Sequence, residues 1–579
     1  MTRSQNPSYR LSFPEPEHHL VEVDLEIPAP GTTLELWMPV WTPGSYLIRE
    51  YARNLEGFRA TSADGEALPW EKTAKNTWRV ETRGAAAARI AYRIYGREKS
   101  VRTDWIDDAF ALINGAPTFL FVRGRESLPH EITVEPAVGW TRVLTALDAD
   151  PSEPFRFIAA NLDELVDSPI VAGTPAVYDF TVDDCRLTLV NQGESGLWDG
   201  ERAAADLKTI VEAYRDLYGS LPTRRYLFHN LLVEAGGGLE HKNSCVLMAS
   251  RFAFRDRKSY VGWLGLASHE FLHVWNVKRS RPVELGPFDY EREVYTRSLW
   301  VAEGFTAYYT DLMPRRAGLT TDEEYLERLS GKLNLLQSTP GRRMQSLEES
   351  SFDAWIKLYR PDENTGNSTV SYYLKGCVVS WLLDVELRRR SSDERSLDDL
   401  MRLLYARYSD ATGFTPADIR EAAETIAGES LESFFTAAVR GTAELDYEPA
   451  LEWLGLRFRE EPGRDGAWLG ITTAGREGRL EITSVRRDGP AYTAGLDAED
   501  ELLALGGFRV TGKTLADRLR QYRPGDRLEV LVARAGAVRA LTVTLGTNPA
   551  PAKQLEFDPE AGAGAVARRR QWLWDDVRS

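Results

Sequence analysis

Cysteine is scarce in this 579-residue chain: Cys185, Cys245 and Cys377 are the three present, and they stand far apart. An odd count at such spacing excludes a disulfide framework and a cysteine-ligated metal site, so the three read as buried thiols. Positive charge is also short, with 71 Lys and Arg against 87 Asp and Glu and a formal net charge of −16. The electrostatic attraction that dominates binding to nucleic acid and anionic lipid is then repulsive, which removes nucleic acid from the expected partners. No apolar run reaches the ~18 residues of a membrane span. The opening Met1-Thr2-Arg3-Ser4-Gln5-Asn6-Pro7 runs into polar sequence without the apolar core of a signal peptide, so the expected location is cytoplasmic.

What is there is ordinary globular material: 43% hydrophobic and 27% charged residues, enough for several packed cores. A chain this long exceeds one ordinary core, and three or four domains are expected. The reading is a multidomain α+β protein. Residues 1–180 form a β-sandwich-like domain, with alternating segments such as His19-Leu20-Val21-Glu22-Val23-Asp24-Leu25-Glu26-Ile27 between Pro-Gly and Asp-Gly turns. Residues 181–452 begin with strands and one helix and continue as long helices. Residues 453–548 return to short strands with glycine-rich turns, and 549–579 are an Ala/Gly/Pro-biased tail whose Val566–Trp574 stretch is expected to dock as a short helix. In the first domain, Trp41-Thr42-Pro43-Gly44-Ser45-Tyr46 reads as a turn whose aromatics pack between domains or wall a substrate; packing is the favoured reading.

Only 7 histidines occur, and two of them stand in His269-Glu270-Phe271-Leu272-His273. At 3.6 residues per turn both imidazoles share one helix face and can hold one metal ion, while Glu270 lies beside that face as a base for a metal-activated water. This helix is expected to begin after Asp256-Arg257-Lys258 and to stop before Pro282. Catalytic zinc takes three protein ligands. Thirty residues on, Trp300-Val301-Ala302-Glu303-Gly304-Phe305 places a carboxylate among apolar neighbours on a helical pattern, where its burial calls for a cation. Glu303 is therefore the third-ligand candidate, ahead of Glu291 and Glu293 with their polar neighbours. Imidazole with carboxylate suits zinc, one ion per chain, although residue types alone leave cobalt and manganese open.

Upstream, Gly236-Gly237-Gly238-Leu239-Glu240-His241 lies between two strands. Glycine lets a substrate backbone approach closely, and a fixed Glu240 facing the cleft pairs with a free α-ammonium, restricting hydrolysis to chain ends.

Taken together, the HExxH pentad, the following Trp275-Asn276-Val277-Lys278-Arg279-Ser280-Arg281-Pro282 and the Trp300-xx-Glu303-Gly304-Phe305 element resemble the M61 glycyl aminopeptidase family, a branch of the gluzincins. The resemblance spans nearly the whole chain and includes the Trp41–Tyr46 segment. It implies a thermolysin-like, mostly helical catalytic domain, a single zinc, and removal of small N-terminal residues such as Gly and Ala. Carried over by position, it makes His269, His273 and Glu303 the metal ligands and Glu270 the general base. Gly237-Gly238-Leu239-Glu240-His241 is similar to an exopeptidase motif that ends in Asn in related aminopeptidases, so the role of His241 beside the substrate stays open. Tyr373, in Tyr373-Leu374-Lys375-Gly376, resembles the tyrosine whose hydroxyl stabilises the oxyanion; Tyr372 is adjacent, and register alone separates them.

The last domain resembles a protease-associated PDZ domain through Trp468-Leu469-Gly470-Ile471, Gly489-Pro490-Ala491 and Asp500-Glu501-Leu502-Leu503-Ala504-Leu505-Gly506-Gly507. It implies a peptide ligand added as an edge strand. Trp468 stands where many PDZ domains have glycine, which weighs against tight C-terminal recognition, and the chain's own end, Val577-Arg578-Ser579, lacks the apolar last residue for self-ligation. The expected activity is a zinc aminopeptidase acting on peptides with free amino ends. Two other readings stay open: an endopeptidase that captures substrates through the PDZ unit, and an inert peptidase-like scaffold, against which the intact set of ligands and base speaks.

Overall fold

The computed structural model describes residues 5–409, 412–460, 466–550 and 552–574. The chain end Val577-Arg578-Ser579 lies outside the described residues. Two compact units are present: Met1–Tyr295 with Ala317–Leu319 and Met401–Phe414, and Thr296–Arg316 with Thr320–Leu400 and Thr415–Ser579. Among the described residues no helix is long and apolar enough to cross a membrane.

The first unit opens with β-structure because its strands alternate. Leu20–Pro28 turns Val21, Val23, Leu25 and Ile27 into the core and Glu22, Asp24 and Glu26 outward. Each such buried aliphatic contributes about 1.5–3 kcal/mol. This strand sits between Ser8–Ser12 and Ala87–Tyr95 in a seven-stranded sheet, and two four-stranded sheets complete the domain. Its core also takes in Tyr290, from beyond the next sheet.

A five-stranded mixed sheet follows. Ala176–Val182, Cys185–Gln192, Arg225–Leu232, Ser244–Ala249 and Gly237–Glu240 lie side by side in that order, and the glycine-containing strand is the edge. The glycine run, expected between strands, instead forms one, pairing Gly238 with Leu247 and Glu240 with Cys245 in antiparallel register. The helix Gly200–Tyr218 is started by Asp199, whose carboxylate accepts from Arg202 N, and stopped by Gly219 at φ 84°.

The second unit carries the long helices, among them Asp322–Ser338 with its Thr321/Glu324 capping box and the almost wholly buried Tyr372–Arg390. It also carries the PDZ fold: the sheet Ile471–Arg476, Arg479–Val485, Glu501–Leu505, Arg527–Arg534 and Ala537–Thr544 around Ile482, Leu505, Val530 and Val543. Trp468 lays its ring over Gly470 and Gly489, with the Arg486 guanidinium 5.5 Å from the ring centre. Within this unit Asn367 ties the PDZ sheet to the helices: its side-chain amide donates to Val485 O at 2.8 Å, and its carbonyl accepts from Arg487 N at 2.8 Å. The tail forms the helix Ala563–Leu573, and Trp572 is fully buried, its indole N–H donating to Tyr308 Oη at 2.8 Å.

Candidate active site

The motif helix runs Arg257–Leu272. Asp256 caps it by accepting from Ser259 N at 2.8 Å, and His273 stands at its C-cap, nine residues before Pro282. The helix is fixed from below by Tyr214, whose hydroxyl meets Ser268 Oγ at 2.9 Å, and beyond its end by Trp275, stacked on Tyr218 at 4.4 Å. The i, i+4 spacing brings His269 and His273 together with ring centroids 4.8 Å apart. His273 is buried and His269 partly exposed. The Nδ1 of His273 lies 2.7 Å from Asn276 O, so its N–H donates there, the tautomer in which Nε2 carries no proton and suits a metal ligand.

The edge strand delivers Glu240 to the same place. Glu240, Glu270 and His273 are 4%, 4% and 1% exposed, and one side-chain ligand atom from each lies within 4.8 Å of the others. Two glycines make this approach possible for different reasons. Gly237 has φ 118°, which side-chain-bearing residues rarely adopt, and a Cβ on Gly238 would overlap the Glu270 carboxylate. Gly44, at φ 85° in the Trp41–Tyr46 turn, lies against Glu240: a Cβ there would stand 2.6 Å from both carboxylate oxygens. The aromatics of that turn are buried in packing, as favoured from the sequence. Trp41 donates its indole N–H to Asp289 O at 2.7 Å and meets the rings of Phe288 and Tyr290. It is the glycine of this segment that reaches Glu240, a role that nothing in the sequence marks.

His241 does not hang free beside the strand. Its Nδ1 lies 3.1 Å from Asp167, which also accepts from Lys242 N at 2.8 Å and from Lys278 Nζ at 2.8 Å. Asp167 is at the C-cap of the short helix Leu162–Val166, in a run of acidic residues that reads as a solvated surface. Burial opposes its charge, but Lys278 and then His241 outweigh that and hold it well below the usual carboxylate range. Arg279 adds a second tie, donating to Lys242 O at 3.1 Å and to Val274 O at 2.8 Å.

In the second unit Glu303 and Tyr373 form their own group. The Trp300–Phe305 segment, expected as an ordinary helix, is a π-helical turn, a form frequent at functional sites. Gly304 rests on Gly376 of the Tyr372–Arg390 helix, where a Cβ would come 2.6 Å from the Gly376 Cα. That close approach sets the turn against the start of the longer helix. Glu303 is 2% exposed. Tyr372 is fully buried and Tyr373 partly exposed, with the two rings stacked at 4.7 Å. Burial first, then the negative charge of Glu303, pushes the Tyr373 phenol well above its ordinary pKa, keeping it a proton donor.

Comparisons with known proteins agree with this anatomy. Residues 8–174 match the Peptidase M61 N-terminal domain, residues 262–379 the M61 glycyl aminopeptidase domain and residues 467–545 the PDZ domain. No curated protein matches the chain. Among solved structures, an aminopeptidase N family protein from Idiomarina loihiensis is 28% identical and superposes with a TM-score of 0.92 over 98% of this chain and 100% of that one. An M1 zinc metallopeptidase from Deinococcus radiodurans is 13% identical, with a TM-score of 0.46 over 76% of this chain and 95% of that one. With the N-terminal and catalytic domains both matched and the HExxH helix in place, the chain belongs to peptidase family M61, as a metallopeptidase that carries a PDZ domain.

Proposed function

We propose that this protein is a zinc-dependent aminopeptidase that releases small residues, glycine and alanine, from the free amino ends of peptides. The observation that carries the reading is the closeness of Glu240 to Glu270, whose nearest ligand atoms are within 4.8 Å. A peptide's α-nitrogen lies only about 2.5 Å from its first carbonyl carbon, from standard bond lengths and angles. An ammonium held on Glu240 therefore puts the first peptide bond within reach of a water held on Glu270. An internal bond of a longer chain would leave no ammonium for Glu240 and a buried carboxylate unpaired. The preference for small residues rests on the glycyl aminopeptidase family model.

His269, His273 and Glu303 would hold the metal, one ion per chain: two imidazole nitrogens and one carboxylate oxygen are a set that suits zinc. When bound there, zinc supplies Lewis acidity and makes water a nucleophile near neutral pH. Glu270 would take the proton of the attacking water and return it to the leaving amine. Glu240 fixes the α-ammonium; Gly238 makes room for Glu270, and the edge strand beside Gly237 lets the substrate backbone approach. Tyr373 donates to the carbonyl oxygen as it gains negative charge, a contribution of about 3–4 kcal/mol by analogy with other oxyanion donors. The PDZ unit offers a second peptide-binding edge, narrowed by Trp468 over Gly470.

The test is digestion of a peptide library with and without chelator, with Glu270→Gln as control. Release of small N-terminal residues that stops with chelator, with the variant and with N-acetylated peptides is the expected result. Cleavage of acetylated peptides at internal bonds would make the protein an endopeptidase instead.

A further inference from the structure

The loop after Glu240 is pinned more firmly than a surface turn requires. A single half-buried carboxylate, Asp167, takes three donors: the backbone N–H of Lys242 at 2.8 Å, Lys278 Nζ at 2.8 Å and His241 Nδ1 at 3.1 Å. Two of these follow Glu240 directly in the chain, and the third comes from the segment after the motif helix. The side chains of His241 and Lys278 are 3% and 8% exposed and that of Asp167 21%, so the pairs are partly shielded from salt and water. Lys278 feels Glu240 as well as Asp167; both outweigh burial and keep it an ammonium. Lys278 thus feels two carboxylates and is hydrogen-bonded to one of them, Asp167. Without Asp167, Lys278 is released to pair with Glu240 alone and competes with any incoming ammonium.

We propose that Asp167, contributed by the N-terminal domain and acting through His241, Lys242 and Lys278, is the positioning residue that holds Glu240 in place and keeps its carboxylate open to the substrate's α-ammonium. This rests on the aminopeptidase reading of Glu240. It also accounts for His241, since where related motifs end in Asn this chain uses an imidazole as a strut to the N-terminal domain. The fixed point explains why the Lys278-Arg279 pair follows the motif helix. Lys278 meets Asp167 and Arg279 meets Lys242 O, so both brace the loop after Glu240.

The experiment uses the full chain. Asp167→Asn keeps the shape and removes the charge; Lys278→Met removes the cation and serves if the first variant does not fold, as judged by its melting curve. Steady-state kinetics are measured on alanyl peptides in both variants, in Glu240→Ala, and in each double variant, together with inhibition by alaninamide and by its des-amino analogue propionamide. Expected for Asp167→Asn is a KM raised about tenfold or more with kcat held within about threefold, since the loss falls on binding rather than on the chemical step. The preference for alaninamide over propionamide falls in parallel, and the whole effect vanishes in the Glu240→Ala background. An equal loss in both backgrounds, or a fall in kcat at unchanged KM, overturns the proposal. Failure of the aminopeptidase reading is distinguishable, because the unsubstituted chain would then release no N-terminal residue and show no preference for the amine.

Discussion

The backbone of Gly44 closes on the carboxylate of Glu240, with no room for even a methyl group between them. A turn from the N-terminal domain thereby walls the carboxylate proposed to take a substrate's amino end. Gly44→Ala is expected to displace Glu240 and raise KM for free-amine peptides by about tenfold while kcat changes little, as for loss of ground-state and transition-state binding alike. The left-handed backbone adds a stability cost of roughly 1–2 kcal/mol. Kinetics with a melting curve check both, and an unchanged KM would remove Gly44 from the site.

On the proposed mechanism Glu270 moves a proton and does not bind metal. Glu270→Gln should lower kcat by about 10²–10⁴-fold, the usual range for a lost general base. Metal content, read by atomic absorption, should stay at the unsubstituted level, whereas His273→Ala should lose it. Metal lost together with activity in Glu270→Gln would make Glu270 a ligand.

The N-terminal domain contains a carboxyl group with an unusual titration. Burial raises Asp104 from 3.8 to about 7, against the N–H of Asn114 and the hydroxyl of Thr118, which both donate to it. A raised folded-state pKa means the folded protein binds the extra proton. The contribution is full below about pH 4 and is lost as pH rises to about 7, at a slope of up to roughly 1.4 kcal/mol per pH unit. His229 runs the other way: burial, then His241, lowers it from 6.5 to about 3, so its contribution is present above pH 6.5 and fades as pH falls. The two oppose each other, and the difference between the unsubstituted chain and Asp104→Asn isolates the first. Urea unfolding at about pH 4.5 and about pH 7.5 should show Asp104→Asn gaining relative stability with pH; a constant difference would place the Asp104 pKa near its ordinary value.

Trp572 ties the C-terminal tail to the helices of its unit. Its ring is enclosed and meets Tyr325 at 5.4 Å, and its carbonyl accepts from Arg316 Nε at 3.0 Å. Trp572→Ala leaves the carbonyl contact and empties the ring's volume, at an expected cost of about 3–5 kcal/mol. A shift in the urea midpoint measures it; a change below about 1 kcal/mol would mean that the tail helix packs loosely.

What was readable from the sequence is what local geometry governs. An i, i+4 histidine pair shares a helix face in any fold, so His269 and His273 needed no tertiary information, and Glu303 declared its burial by its apolar neighbours. Alternation announced the N-terminal strands, and the Val566–Trp574 stretch announced a docking helix by its tryptophans. The glycine run showed that something comes close, but not that Glu270 comes to Gly238 and Glu240 to Gly44.

Tertiary structure alone decided which distant residues complete the half-site. Asp167 meets Lys242 across 75 positions and Lys278 across 111. No periodicity or spacing encodes such a contact, because it depends on how a strand edge, a helix end and a domain loop converge. The wide turn at Trp300–Phe305 was equally hidden, since a π-helical and an α-helical segment carry the same apolar pattern over six residues. The sequence by itself determined the chemistry available to this protein, through residue types at helical spacing; the fold decided how closely the Glu240 and Glu270 carboxylates stand, because that distance is set by close-packed backbone.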